Sequence, residues 1–186
     1  MTARVPFTAA ELRHALEGGE LRLLYQALVD MRTGRVASLE CVLRWQHPQR
    51  GLLHAVPFVD DVAALGLAPE FMRWILRTAA QQLALWRAMP VDIPRVAVNA
   101  WPVALGRVLL DDVLRAAADA GLRPSDIEIE TQPEATYDAG TLRSLREMRE
   151  SGVRIALDDF GDGDLRFSWL RDAPFDVVKL PVTFVL

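Results

Sequence analysis

Hydrophobic positions along the chain fall into two alternating patterns. Short apolar-rich runs occur at 21–24, 36–39, 96–98, 127–129, 153–157 and 177–178, each too short for a helix and bounded by polar residues. Between most of them the apolar residues recur every three or four positions. Residues 57–65 and 70–89 read as helices, the second through Phe71, Ile75, Leu76, Ala79, Leu83 and Trp86. The first ends at Gly66 and the second before Pro90, where helices are expected to stop. Residues 103–120 close at Gly121 and residues 139–151 at Gly152, giving two more. Thr8 with Glu11 three residues later forms a capping box, so residues 8–17 open the chain as a helix closed by Gly18-Gly19. Strands alternating with helices predict an α/β fold with a parallel sheet or a TIM-barrel-like (β/α) barrel. The start departs from that regularity. Strand 21–29, turn 30–34 and strand 35–43 leave no room for a crossover helix, so the first pair is expected to be antiparallel.

The runs end on side chains with chemistry: Tyr25-Gln26, Glu40, Asn99, Glu130, Asp158-Asp159 and Lys179. In a β/α barrel the C-terminal strand ends meet on one face, so residues distant in sequence converge there. A polar residue where a strand enters its loop is unremarkable singly; its repetition at five strand ends points to a site. Two Glu, two Asp and an Asn form an oxygen-rich set suited to Mg²⁺ or Mn²⁺. Trp74 and Trp86, by contrast, are read as core packing.

Composition narrows the class. A chain of 186 residues, 51% of them hydrophobic, buries a substantial core and is read as one domain, with an N-terminal helix in 1–20 and a partial barrel in 21–186. The formal net charge of -4 argues against a nucleic-acid surface. The single cysteine, Cys41, excludes an internal disulfide framework and fits a reducing, cytoplasmic compartment. No stretch approaches the ~20 apolar residues of a membrane span.

Asp158-Asp159-Phe160-Gly161-Asp162-Gly163 is the most specific local signal. Adjacent strand residues point to opposite faces, so both leading carboxylates serve one site only where strand gives way to loop. Two ions ~3.5–4 Å apart held by such groups cut phosphodiesters in line.

Glu40-Cys41-Val42-Leu43-Arg44-Trp45 with His47-Pro48, Val98-Asn99, Ile127-Glu128-Ile129-Glu130, Asp158-Asp159-Phe160-Gly161 and then Lys179 resemble the EAL domain, from about Leu21 onward and in the family's order. The family hydrolyses cyclic di-GMP to linear pGpG. The resemblance implies that Glu40, Asn99, Glu130 and Asp158 are metal ligands, with Asp159 at the second metal, the cofactor being Mg²⁺ or Mn²⁺. It implies that Lys179 is catalytic with Glu40, helping to hold the attacking water, that Arg44 grips a ligand phosphate, and that Gln26 and Asp159 contact the ligand. Arginine's planar fork suits phosphate in a way lysine's point charge does not.

The chain also departs from the family. Glu-Ala-Leu is Glu40-Cys41-Val42, and the proline after Gln26 is Ala27. The segment Phe58-Val59-Asp60-Asp61-Val62-Ala63 lacks the family's closing glutamate, and Glu130-Thr131-Gln132-Pro133 lacks a second one, with Glu134 displaced by a residue. Lys-Ile-Asp is Lys179-Leu180-Pro181, and Asp162 and Asp164 replace a Thr and a Tyr in the glycine loop. The family runs on for about two more β/α units beyond Leu186, so the resemblance implies about six of eight barrel units here, without the glutamate that serves as general base. Such a base is typically worth ~10²–10⁴-fold. Three functions fit: a cyclic di-GMP receptor with weak or absent hydrolysis, an active phosphodiesterase in a longer chain, or a ligand-free protein-interaction module. An open barrel also leaves unpaired strand edges, which predicts a homodimer or a partner covering them.

Overall fold

A computed structural model describes residues 5–132, 137–160, 174–181 and 183. Asp162, Asp164 and Glu134 lie outside the described residues.

The opening helix, α1 (Ala9–Glu17), begins at the predicted capping box: Glu11 N–H donates to the Thr8 hydroxyl at 3.3 Å, and Thr8 N–H to the Glu11 carboxylate at 2.8 Å. β1 (Leu21–Val29) then pairs antiparallel with β2 (Val36–His47). The Asp30 side chain makes the turn between them by accepting from the N–H groups of Arg32 and Thr33 at 2.8 and 2.9 Å, and Gly34, at φ 70°, closes it. β2 runs four residues past its predicted end because residues 44–47 are paired by β3 (Gly51–His54), an antiparallel strand the sequence did not announce.

Helices α2 (Val56–Ala64) and α3 (Ala68–Arg87) lead into β4 (Val96–Asn99), which starts the parallel part of the sheet against β2. α4 (Arg107–Asp119), β5 (Ile127–Thr131), α5 (Ala139–Glu150), β6 (Arg154–Leu157) and β7 (Val177–Val178) follow. The helix expected over 103–120 is shorter: a 3₁₀ turn at Pro102–Ala104 precedes it, and extended Gly106, at φ 177°, separates the two. Among the described residues the sheet order β1-β2-β4-β5-β6-β7 is an open path rather than a closed ring.

One face of the sheet carries Leu39, Cys41, Leu43, Val96, Val98, Ile127, Ile129 and Ile155, all buried against Phe58, Phe71, Leu76, Leu83, Val113, Leu145 and Met148 of the helices. Each such fully buried side chain contributes ~1.5–3 kcal/mol. The expected apolar stripe of α3 lies on this interface, and Trp74 and Trp86 pack at its margin. Register places the polar residues on the other face. Gln26, Glu40, Ala97, Glu128 and Arg154 form one row across β1, β2, β4, β5 and β6, and Asn99, Glu130, Ala156 and Val177 form the next. Among the described residues no helix is long and apolar enough to cross a membrane.

Candidate active site

The C-terminal ends of β4, β5, β6 and β7 bring the predicted residues together beside Glu40 of β2. Lys179 Nζ lies 2.9 Å from Glu40 Oε2, 2.7 Å from Glu130 Oε1 and 3.6 Å from Asp158 Oδ1. Asn99 Nδ2 donates to Glu40 Oε1 at 3.0 Å. Backbone bonds fix these strand ends: Ala100 N–H donates to Glu130 O, Asp158 N–H to Thr131 O, Lys179 N–H to Leu157 O and Phe160 N–H to Lys179 O. Asp159 follows at φ 50°, a left-handed conformation unusual for a residue with a side chain, so the backbone reverses hand directly after Asp158.

Glu130 is the deepest member, with no exposed side-chain surface. Burial pushes its carboxyl up from the ordinary 4.5 to about 7; Lys179 pulls the other way, and Glu40 and Asp158 add to the rise. Neither of its oxygens receives a directed hydrogen bond, so its 2.7 Å contact with Lys179 is a charge pair and not a filled donor–acceptor geometry. For Lys179, burial disfavours the ammonium, but Glu130 and Glu40 outweigh it and hold the pKa above the ordinary value. Burial, followed by the charges of Glu130 and Glu40, lifts the Cys41 thiol to about 12, so it is inert as a nucleophile.

Among the described residues no three His, Cys, Asp or Glu side chains form a ready metal-coordinating group; here three carboxylates share the Lys179 ammonium. The donor chemistry still fits a hard divalent ion. The two buried carboxylate oxygens of Glu130, neither in a directed hydrogen bond, with Glu40, Asp158 and the Asn99 amide alongside, are of the oxygen type such ions take.

Gln26 stands directly across β1–β2 from Glu40. Arg44 does not join the cluster: it lies four residues further along β2, where its guanidinium donates to Leu43 O at 2.8 Å. Beside Asn99 a cavity of about 410 Å³ is lined by Asp60, Ala63, Trp101 and Gln132 among others. Trp101 Nε1 donates to Val59 O at 3.1 Å, which holds the indole in the wall. Sequence reasoning overlooked Trp101; its place just after the Asn99 strand end was the available signal.

The open, mostly parallel α/β sheet, with a carboxylate–lysine cluster at its C-terminal strand ends, is that of a TIM-barrel-like fold. Residues 9–186 match the EAL domain, and the chain belongs to the EAL domain family. It is 36% identical over 179 residues to the cyclic di-GMP phosphodiesterase NbdA of Pseudomonas aeruginosa, covering 95% of this chain and 23% of that protein. The PaMucR phosphodiesterase, solved in complex with c-di-GMP, superposes with a TM-score of 0.86 at 32% identity, over 95% of this chain and 72% of that one. The EAL domain of Mycobacterium smegmatis DcpA superposes at 0.70 with 29% identity, over 89% and 67%. The chain spans 21–29% of the length of the curated relatives it matches.

Proposed function

We propose that this domain binds cyclic di-GMP on the top face of the sheet, at a divalent-metal site, with hydrolysis to pGpG weak or absent. The observation that carries this is the convergence of Asn99, Glu130, Asp158 and Lys179, from four strand ends, on Glu40 within β2, in a chain 32% identical to a phosphodiesterase solved with c-di-GMP. Glu40, Asn99, Glu130 and Asp158 would hold Mg²⁺ or Mn²⁺, with Asp159 toward a second ion. When bound, such an ion polarises a phosphoryl oxygen and acidifies a water. The chain's own residues supply the rest. Gln26, beside Glu40, and Arg44, higher on β2, flank the approach on which a ligand phosphate would settle, Arg44 by charge-assisted bonds. Lys179 presents an ammonium where negative charge would develop at phosphorus.

Weak turnover follows from what the surroundings lack. Ala63 lines the cavity beside Asn99 where the family has a glutamate, Gln132-Pro133 replaces the second glutamate after Glu130, and Pro181 removes a carboxylate next to Lys179. The test is cyclic di-GMP binding by calorimetry with Mg²⁺ and then Mn²⁺, alongside chromatographic product analysis. Binding that Arg44→Ala weakens by ~10-fold or more, with turnover far below the ~1 s⁻¹ of slow ordinary enzymes, is expected. Turnover near that value overturns the non-hydrolysing reading, and absence of binding overturns the site.

A further inference from the structure

The opposite end of the sheet holds a second polar cavity, of about 330 Å³, that the function above does not use. Arg87, Arg95, Arg123 and Arg154 line it together with Asp92 and Asp126. It lies at the N-terminal strand ends: Arg95 immediately precedes β4, Asp126 precedes β5 and Arg154 opens β6. Four residues of strand separate Arg95 from Asn99, ~13 Å at the strand rise, so the cavity and the top-face site are distinct.

Its charges do not balance. Arg154 Nε is matched by Glu128 at 3.1 Å, and Asp92 is matched from outside by Arg35. Arg87 and Arg123 both lean on the single carboxylate of Asp126, at 2.7 and 3.0 Å. Among the described residues Arg95 makes no ion pair of its own: its Nε is buried without a hydrogen-bond partner, and burial followed by the neighbouring Arg154 lowers its pKa against the opposing pull of Glu128 and Asp126. Counting these pairs leaves two positive charges in excess, in a chain whose formal net charge is -4. A buried guanidinium donor left unmade is costly, and a guanidinium fork binds phosphate oxygens in a planar, two-point fashion.

We propose that this cavity is a binding site for a small phosphate-bearing dianion, with half-buried Arg95 in its wall and Arg87 and Arg123 at its mouth. A dianion cancels the surplus of two charges. Inorganic phosphate, pyrophosphate and a nucleoside monophosphate carry the same recognised group, and the cavity volume admits each.

The experiment titrates the full chain with phosphate, pyrophosphate and adenosine monophosphate without divalent metal, by calorimetry and thermal shift. Arg95→Gln and, separately, Ser125→Glu, which sets a carboxylate in the cavity wall, are compared with wild type. Binding that falls at least tenfold in both variants, with cyclic di-GMP binding at the top face unchanged, is expected. The preferred probe then identifies the source: tightest binding of the nucleotide means the base is also read, and equal binding means the phosphate alone is. Anion binding that neither variant changes, or no binding by wild type, overturns the proposal. Ser125→Glu keeps the test valid should Arg95→Gln fail to fold.

Discussion

Replacing Glu130 by glutamine in metal-free protein isolates the cost of burying that carboxylate. Its rise from 4.5 to about 7 is worth about 3 kcal/mol at ~1.36 kcal/mol per pKa unit. The sign is fixed by the direction. A carboxyl whose folded pKa is raised favours the fold when protonated, so this stability is fully present below pH 4.5 and is lost as pH rises through about 7. At pH 8 the folded protein carries nearly the whole penalty, and at pH 5 about 1 kcal/mol of it. Glutamine keeps the shape, stays neutral at both, and still offers Lys179 an acceptor. Urea denaturation in chelator, followed by tryptophan fluorescence, should therefore show Glu130→Gln more stable than wild type by up to about 3 kcal/mol at pH 8. The gain should shrink to about 1 kcal/mol at pH 5. For a chain of this length the larger figure corresponds to roughly 6–12 °C in melting temperature. Added Mn²⁺ should stabilise wild type and not the variant. A variant less stable than wild type at pH 8 would refute the reasoning, because it would mean that the Lys179 ion pair outweighs the burial cost.

Two further outcomes are expected. Burial raises the Asp126 carboxyl, but Arg87 and Arg123 outweigh it and hold it well below the usual range, so its contribution is present above pH 3.8 and lost as pH falls through the lower folded value; Asp126→Asn should cost about 1–3 kcal/mol at pH 7, measured by denaturation, and blunt acid unfolding. β1 is an edge strand with Leu24 and Val29 half exposed, so light scattering should show a dimer or larger species, and a stable monomer at high concentration would refute this.

Much of this architecture was legible because each parallel strand packs a regularly spaced apolar face against the helices, while its other face carries polar residues such as Asn99, Glu128, Glu130 and Arg154. The runs at β4, β5 and β6 therefore stood out, and the residues closing them proved to be neighbours in space. β3 was not legible: Gly51-Leu52-Leu53-His54 is four residues with no alternation, and it forms only because the long β2 offers it a partner. The α4 boundary was misplaced because Val103 and Ala104 continue the apolar spacing while Gly106 breaks the backbone. That Gln26 faces Glu40 depends on hairpin register, which the turn sets and composition does not. The arginine cavity left no motif, since its members come from a helix end, two strand starts and a loop.

The countercharge for three carboxylates rides on the sheet's shortest strand. β7 pairs with β6 through two residues only, and Lys179 follows it directly. Seating that strand and neutralising the centre are thus one equilibrium viewed from two sides. By linkage, any cation that displaces the ammonium from Glu130 loosens the hold on β7 by the same free energy, and any force that shifts β7 changes the centre's appetite for cations to the same degree. The edge of the sheet is in this sense a lever on its own charge.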